Sequence, residues 1–282
     1  MGAKVIDGKE IAQQIRQEIK EEVNQLEKEN KRVTLAVLLV GDDPASQTYV
    51  RNKKKCCEEL GIRFLLYEMN ADIAQEELLF RIQELNMRAD VDGILVQLPL
   101  PEHISERIVL ETISPKKDVD GLHSINAGAL ATGQLGFLPG TAAGIIELLK
   151  RSGIEIDGKE CVIVGRSDNV GKPLAQLFLQ ENGTVTVTHT HTGNLAEVCR
   201  RADILVAAAG KNQIITSDFV KPGATVIDVG IHRNENNKLS GDVDFENVST
   251  VAGAITPVPG GVGPMTIAML MRNCLEGRKR RL

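Results

Sequence analysis

Apolar residues first recur at helical spacing just after Asp7: Ile11, Ile15, Ile19, Val23 and Leu26 share one face, and Asp7 is a residue type that caps such a helix. The pattern then becomes a continuous apolar run, TLAVLLVG (residues 34–41), of the length of a buried strand. A DDPAS turn leads into a second helix, over SQTYVRNKKKCCEEL, which Gly61 ends. IRFLLYEM (62–69) reads as a strand, residues 74–88 as an amphipathic helix, and GILVQLP (93–99) as a strand closed by Pro99 and Pro101. Strands alternating with helices imply a parallel sheet covered on both faces.

The texture changes after KDVDG. Residues 121–141 are rich in glycine and poor in periodicity, as a connection between domains would be. TAAGIIELLKRSG reads as a helix, after which CVIVG, TVTVT, DILVAAA and ATVIDVG alternate with helices and give a second parallel sheet. The chain closes with a Gly/Pro turn into a helix that has Pro264 near its first turn. The expectation is an α/β protein of two domains. An N-terminal αβα domain spans 1–138 and is completed by the C-terminal helix, 264–282; a Rossmann-like domain spans 139–263.

Composition narrows the classes. Apolar residues make up 42 % of the 282 positions, enough for two cores, and aromatics only 3 %, so those cores are aliphatic. A net charge of −5 argues against a nucleic-acid partner, and the basic GRKRR near the end reads as a solvated helix end. The N-terminus lacks a signal peptide's apolar core, and the apolar runs are too short to span a membrane. Cysteines 56, 57, 161, 199 and 274 show no CxxC spacing; they read as reduced thiols in a cytoplasmic protein, neither disulfides nor metal ligands.

Two sets of residues carry candidate chemistry. In VIVGRSDNVGKP, Gly165 ends a strand and Gly171 and Pro173 begin a helix. Such a turn aims backbone N–H groups and the positive helix end at a pyrophosphate, although alone it is also an ordinary βα turn. A site that prefers NAD places a carboxylate about 20 residues later, at the end of the next strand. Here that strand ends in HTHT (189–192), without an acid, while Arg166 and Ser167 stand in the first turn. A guanidinium matches a phosphate, so the cofactor expected is NADP.

The second set lies in the N-terminal half. Tyr49 and Lys53 are at i and i+4 and share a helix face. Gln97 sits at the end of an apolar strand and Asp120 in a turn. Singly, they read as core packing, a solvated basic face, a strand-end cap and a turn residue. Their placement at the carboxyl ends of strands, where open α/β sheets bind ligands, favours a shared site. There Tyr49 offers an aromatic face, Lys53 a proton-transferring amine, Gln97 an amide that orients it, and Asp120 an acceptor for ring N–H groups.

YVRNKKKCCEELGI, GILVQLPLP, KDVDG and PVPGGVGPMT, in this order, resemble the signatures of the bifunctional methylenetetrahydrofolate dehydrogenase/methenyltetrahydrofolate cyclohydrolase family, and the resemblance covers nearly the whole chain. It implies oxidation of 5,10-methylenetetrahydrofolate with NADP, then hydrolysis of the methenyl cation to 10-formyltetrahydrofolate. It implies that Lys53 is the catalytic amine, supported by Gln97, that Tyr49 stacks on the folate ring and that Asp120 binds the pterin. Pro259, Gly260, Gly261, Val262 and Gly263 would border the folate, and Gly165, Arg166, Ser167, Thr190 and Ile231 would hold the cofactor. A homodimer is implied too.

Three stretches depart from the family pattern. Pro139-Gly140-Thr141-Ala142 replaces Pro-Cys-Thr-Pro, Asn169 stands where isoleucine is usual, and Thr188-His189-Thr190 replaces Cys-His-Ser. Asp168 adds a negative charge beside the expected 2′-phosphate. The rival readings are a cyclohydrolase with little dehydrogenase activity, another two-domain NADP dehydrogenase acting on a small cyclic hydroxy acid, and a non-catalytic folate- or nucleotide-binding regulator.

Overall fold

Asp7 does cap the first helix. Its carboxylate accepts the backbone N–H of Lys9 (2.9 Å) and of Glu10 (3.1 Å), two of the donors a helix start leaves unpaired. The computed structural model describes residues 2–233 and 238–281; Met1 and Leu282, the outer bounds of the expected domains, lie outside them. In chain order the elements are β1 (Lys4–Val5), α1 (Gly8–Lys28), β2 (Thr34–Val40), α2 (Pro44–Leu60), β3 (Arg63–Met69), α3 (Gln75–Met87), β4 (Gly93–Val96), α4 (Glu106–Thr112), α5 (Ser124–Ala131) and α6 (Gly140–Arg151). They continue with β5 (Glu160–Val164), α7 (Gly171–Gln180), β6 (Thr184–Thr188), α8 (Leu195–Cys199), β7 (Ile204–Ala207), β8 (Thr225–Asp228), β9 (His232–Arg233), β10 (Leu239–Ser240), α9 (Phe245–Val248), β11 (Ala254–Ile255) and α10 (Val262–Lys279).

The chain divides into two compact units, residues 14–139 with 267–282 and residues 1–13 with 140–266. In the first, three parallel strands run in the order β3-β2-β4. The central strand β2 is buried along its whole length, which is why it reads as an unbroken apolar run. Burying each such Leu or Val contributes about 1.5–3 kcal/mol. Leu78, Ile82 and Leu85 of α3 pack with Ala36, Leu38 and Ile94 into one core. The last helix serves this unit: Arg272 pairs with Glu18 and Glu22, and the Asn273 amide donates to the Val119 and Leu138 carbonyls.

The second unit is a parallel six-stranded sheet, order β1-β11-β8-β7-β5-β6. Counting β5 as its first strand, the order beside it reverses between β5 and β7, the topological switch point where open α/β sheets bind ligands. Two features differ from expectation. The first residues join this sheet rather than the N-terminal one, because β1 pairs with β11. The stretch 121–141 is not a bare connection: it holds α5, and the buried Asn126 donates to Pro115 O (3.0 Å) and to Asp118 (2.8 Å) while accepting from Phe137 N (3.2 Å).

Candidate active site

Helix α2 owes its position to its ends. Asp43 accepts the Ser46 N–H at 2.7 Å, Pro44 fits the first turn, and Gly61 closes the helix at φ 76°. Val50 and Cys57 face the core, and Lys53, spaced between them, falls on the same stripe. Lys53 is accordingly only partly exposed. Its ammonium donates to Gln97 Oε1 at 2.9 Å, and the Gln97 amide nitrogen donates to Leu98 O at 2.6 Å, so the side chain of Gln97 is held at both ends. Gln97 follows β4 directly and is only 8 % exposed. Tyr49, one turn before Lys53, stands at the edge of the stripe and is 47 % exposed, with its ring free to meet a flat ligand.

Asp120 is placed by a turn with little freedom. Asp118, buried, accepts from His123 N (2.9 Å) and from Asn126, and Lys117 donates to the carbonyls of Leu85 and Arg88. Gly121 has φ 71°, and a Cβ there would come within 2.7 Å of the Leu138 carbonyl carbon. Burial pushes Asp120 up to about 6, the nearby Lys53 opposes that rise and Asp118 adds to it. Burial pushes the Lys53 ammonium down, and Asp120 partly offsets this. The neighbouring thiols of Cys57 and Cys274 are raised by burial and stay protonated, so the carboxylate is the counter-charge. The unit thus sets Gln97 and Asp120 about the amine of Lys53, with Tyr49 one helical turn away, and burial eases the loss of that amine's proton. The supporting Asp118 and Asn126 were invisible to periodicity, because a buried polar group declares itself only through distant partners.

The second unit carries the turn from β5 into α7. Gly165 has φ 126°, and a Cβ on it would overlap the carbonyl oxygen of Ala208 and lie 2.8 Å from its carbon. Gly171 likewise leaves room for Arg166: a Cβ there would approach the Arg166 Cα to 2.8 Å. The two glycines let strand, turn and helix close tightly, as an approach of backbone to a pyrophosphate requires. No carboxylate follows β6. Thr188 is buried and spends its hydroxyl on Ile163 O (3.1 Å), while Thr190 is exposed. Asp168 is not an isolated negative charge, since it pairs with Lys172 one turn on. Ile231, half exposed, lines a small cavity of about 140 Å³ with Pro259, Gly260, Gly261, Val262 and Gly263. The close-packed turn from β5 into α7, with Arg166 in it and no acid after β6, fits a dinucleotide carrying a 2′-phosphate. Among the described residues no group of three or more His, Cys, Asp or Glu is arranged to hold a metal ion.

Comparison with known proteins agrees with both halves. The catalytic-domain profile of tetrahydrofolate dehydrogenase/cyclohydrolase matches residues 6–120, and that family's NAD(P)-binding-domain profile matches residues 139–282. The "Bifunctional protein FolD" of Lachnoclostridium phytofermentans is 62 % identical over 278 residues, 99 % of each chain. The crystal structure of the bifunctional methylenetetrahydrofolate dehydrogenase/cyclohydrolase FolD of Campylobacter jejuni is 50 % identical, with a TM-score of 0.98 over 99 % of this chain and 100 % of that one. The Trypanosoma brucei dehydrogenase-cyclohydrolase, solved with NADP and an inhibitor, is 40 % identical with a TM-score of 0.95, over 100 % of this chain and 99 % of that one. With both profiles matched in order and relatives this similar end to end, the chain belongs to the tetrahydrofolate dehydrogenase/cyclohydrolase family.

Proposed function

We propose that this chain oxidises 5,10-methylenetetrahydrofolate to 5,10-methenyltetrahydrofolate with NADP and hydrolyses the product to 10-formyltetrahydrofolate. The observation that carries the reading is the buried-side amine of Lys53, 2.9 Å from Gln97 Oε1 and offset by Asp120, at the carboxyl ends of β2 and β4. Purified protein given 5,10-methylenetetrahydrofolate and NADP should form NADPH with little methenyl build-up, and should hydrolyse added methenyl substrate. Neither reaction occurring would overturn the reading.

The roles follow from chemistry. Residues 14–139 with 267–282 supply the folate half and 1–13 with 140–266 the nucleotide half. Bound NADP would supply the hydride acceptor, and the chain's part in that step is alignment. Tyr49 offers its ring to the folate, and Asp120, largely ionised above pH 6, accepts pterin N–H groups. Pro259, Gly260, Gly261, Val262 and Gly263 border the folate, and Gly165, Arg166, Ser167, Thr190 and Ile231 hold the cofactor. Hydrolysis needs a proton taken from the attacking water. Burial favours the neutral amine of Lys53, and Gln97 takes one of its N–H groups and so fixes the direction of the lone pair.

Two outcomes test these roles. Arg166→Ala should raise the Kd of NADP by roughly 10–100-fold, the worth of a charge-assisted bond, and leave that of NAD nearly unchanged; equal losses in the two titrations would remove the phosphate role. Asp120→Asn withdraws the anion that supports the ammonium form, so the pKa of Lys53 falls further. The neutral amine then persists to lower pH. At saturating methenyl substrate, the rising acidic limb of the cyclohydrolase profile should shift to lower pH, and an unmoved limb would show that Lys53 is not the titrating base.

The chain acts in the cytoplasm as a homodimer. In support, the five cysteines are unpaired and buried, and no helix among the described residues is long and apolar enough to cross a membrane. The edge strand β6 exposes Val187 and the adjoining α7 exposes Leu179, an apolar margin suited to a second copy.

A further inference from the structure

The turn after β5 is one wall of the switch-point crevice; the other is the segment after β7. Gly165 packs against Ala208, and the next two residues, Ala209 and Gly210, give both their backbone N–H groups to one carboxylate. That carboxylate is Asp242, which is fully buried and comes from the strand-to-helix segment after β10. Its Oδ2 accepts from Ala209 N at 2.6 Å and from Gly210 N at 2.9 Å, and its Oδ1 meets Nε2 of His232 at 2.7 Å.

Asp242 is itself anchored. Its N–H donates to Asp228 Oδ1 (2.9 Å), its carbonyl accepts from Ile215 N (3.0 Å), and Asp228 also accepts from Gly230 N and Val243 N, each at 3.0 Å. Asp228 closes the chain of bonds by donating its N–H to Thr256 Oγ1 at 2.8 Å, just before the Pro257–Gly263 loop. The packing leaves no slack. A Cβ on Gly230 would fall 2.6 Å from the Asp242 carboxyl carbon, and one on Gly241 would overlap the Asp228 carboxylate. Two buried carboxylates therefore tie together the segments leaving β7 and β8 and the one entering the Gly-rich loop. Apart from Asp228, which is the last residue of β8, the groups making these bonds lie beyond the strand ends of the six-stranded sheet. A buried acid this fully satisfied fixes geometry beyond what its net stabilisation requires.

We propose that Asp242 is a positioning residue for the cofactor step: it holds the Ala209–Gly210 segment in the shape that the nucleotide meets, with His232 fixing its second oxygen. The inference rests on the function proposed above. It predicts a division between the two activities, because hydrolysis of methenyltetrahydrofolate uses no nucleotide. Asp242→Ala should raise the Kd of NADP, read by calorimetric titration, roughly tenfold or more, with the dehydrogenase KM for NADP rising in step. The rate of hydrolysis of added methenyl substrate should stay within about twofold.

Asp242→Asn keeps an oxygen for the two N–H groups and an amide for His232, so it should recover most of the affinity. Gly210→Ala reaches the same segment without touching the acid. Gly210 has φ 65° and open space around it, so the added methyl strains the backbone alone, and NADP should weaken several-fold while hydrolysis is kept. This variant decides the matter should Asp242→Ala fail to fold. Unchanged NADP affinity in a folded Asp242→Ala or in Gly210→Ala would overturn the proposal, as would equal loss of both activities in Asp242→Asn. Failure of the underlying function would look different, since the unmodified protein would then turn over neither substrate.

Discussion

Lys53→Met should remove cyclohydrolase activity, lowering kcat on methenyl substrate by roughly 10²–10⁴-fold, the usual worth of a positioned proton-transfer group. Methionine keeps most of the side chain's length and apolar stem, so the stripe of Val50 and Cys57 stays filled and α2 stays in place. What disappears is the amine and its 2.9 Å bond to Gln97. Gln97 is then left with a nearly buried carbonyl oxygen lacking its donor, and Asp120 loses the charge that opposes its protonation, so burial should push Asp120 higher still. Since the same four residues face the folate in the proposed site, dehydrogenase activity should fall as well, by less than hydrolysis. Stopped-flow decay of the methenyl absorbance, beside NADPH formation on the same preparation, separates the two. Full retention of hydrolysis would refute the assignment of Lys53.

Much of this site could be read before the fold was known because local chemistry marked it. Asp43, Pro44 and Gly61 delimit α2 in the sequence, and the spacing of Val50 and Cys57 already puts Lys53 on the inward stripe. The buried strands β2, β5, β7 and β8 read as apolar runs because both of their faces are covered. The failures share a different cause. β1 and β11 are two residues each, too short to show a period, and only their pairing with each other reveals that the chain's first residues belong with the nucleotide sheet. Helix α5, SINAGALA, has no apolar stripe; it stands on His123, whose ring accepts Ile125 N, and on the bonds of buried Asn126. Asp118, Asp228 and Asp242 look like surface acids in sequence. Their burial is settled by partners up to 33 positions away, such as Ala209 for Asp242, which no window of local pattern contains. The cofactor turn was partly legible for the same reason: its glycines were visible, but the Ala208 carbonyl that demands one of them was not.

That carbonyl gives the other large expectation. Gly165→Ala should abolish useful NADP binding, raising the Kd by about 100-fold or more. Two costs coincide at this position. The backbone angle of φ 126° lies where residues with a Cβ are strained, and strain of this kind costs about 1–3 kcal/mol. The methyl would also collide with the backbone of Ala208, which has no rotamer by which to yield. Ala208 N is hydrogen-bonded to Val164 O at 2.8 Å, so relief requires prising β5 from β7 at the switch point, where the proposed pyrophosphate contact is made. The thermal midpoint should drop by several degrees with the lost ladder bond. The residues proposed for hydrolysis, Lys53 and Gln97 with Asp120, lie in the other unit, so hydrolysis of methenyl substrate below the new midpoint should persist. A folded Gly165→Ala protein that binds NADP as tightly as the parent would place the nucleotide elsewhere on this sheet, and with it would fall the roles given to Arg166 and Ser167.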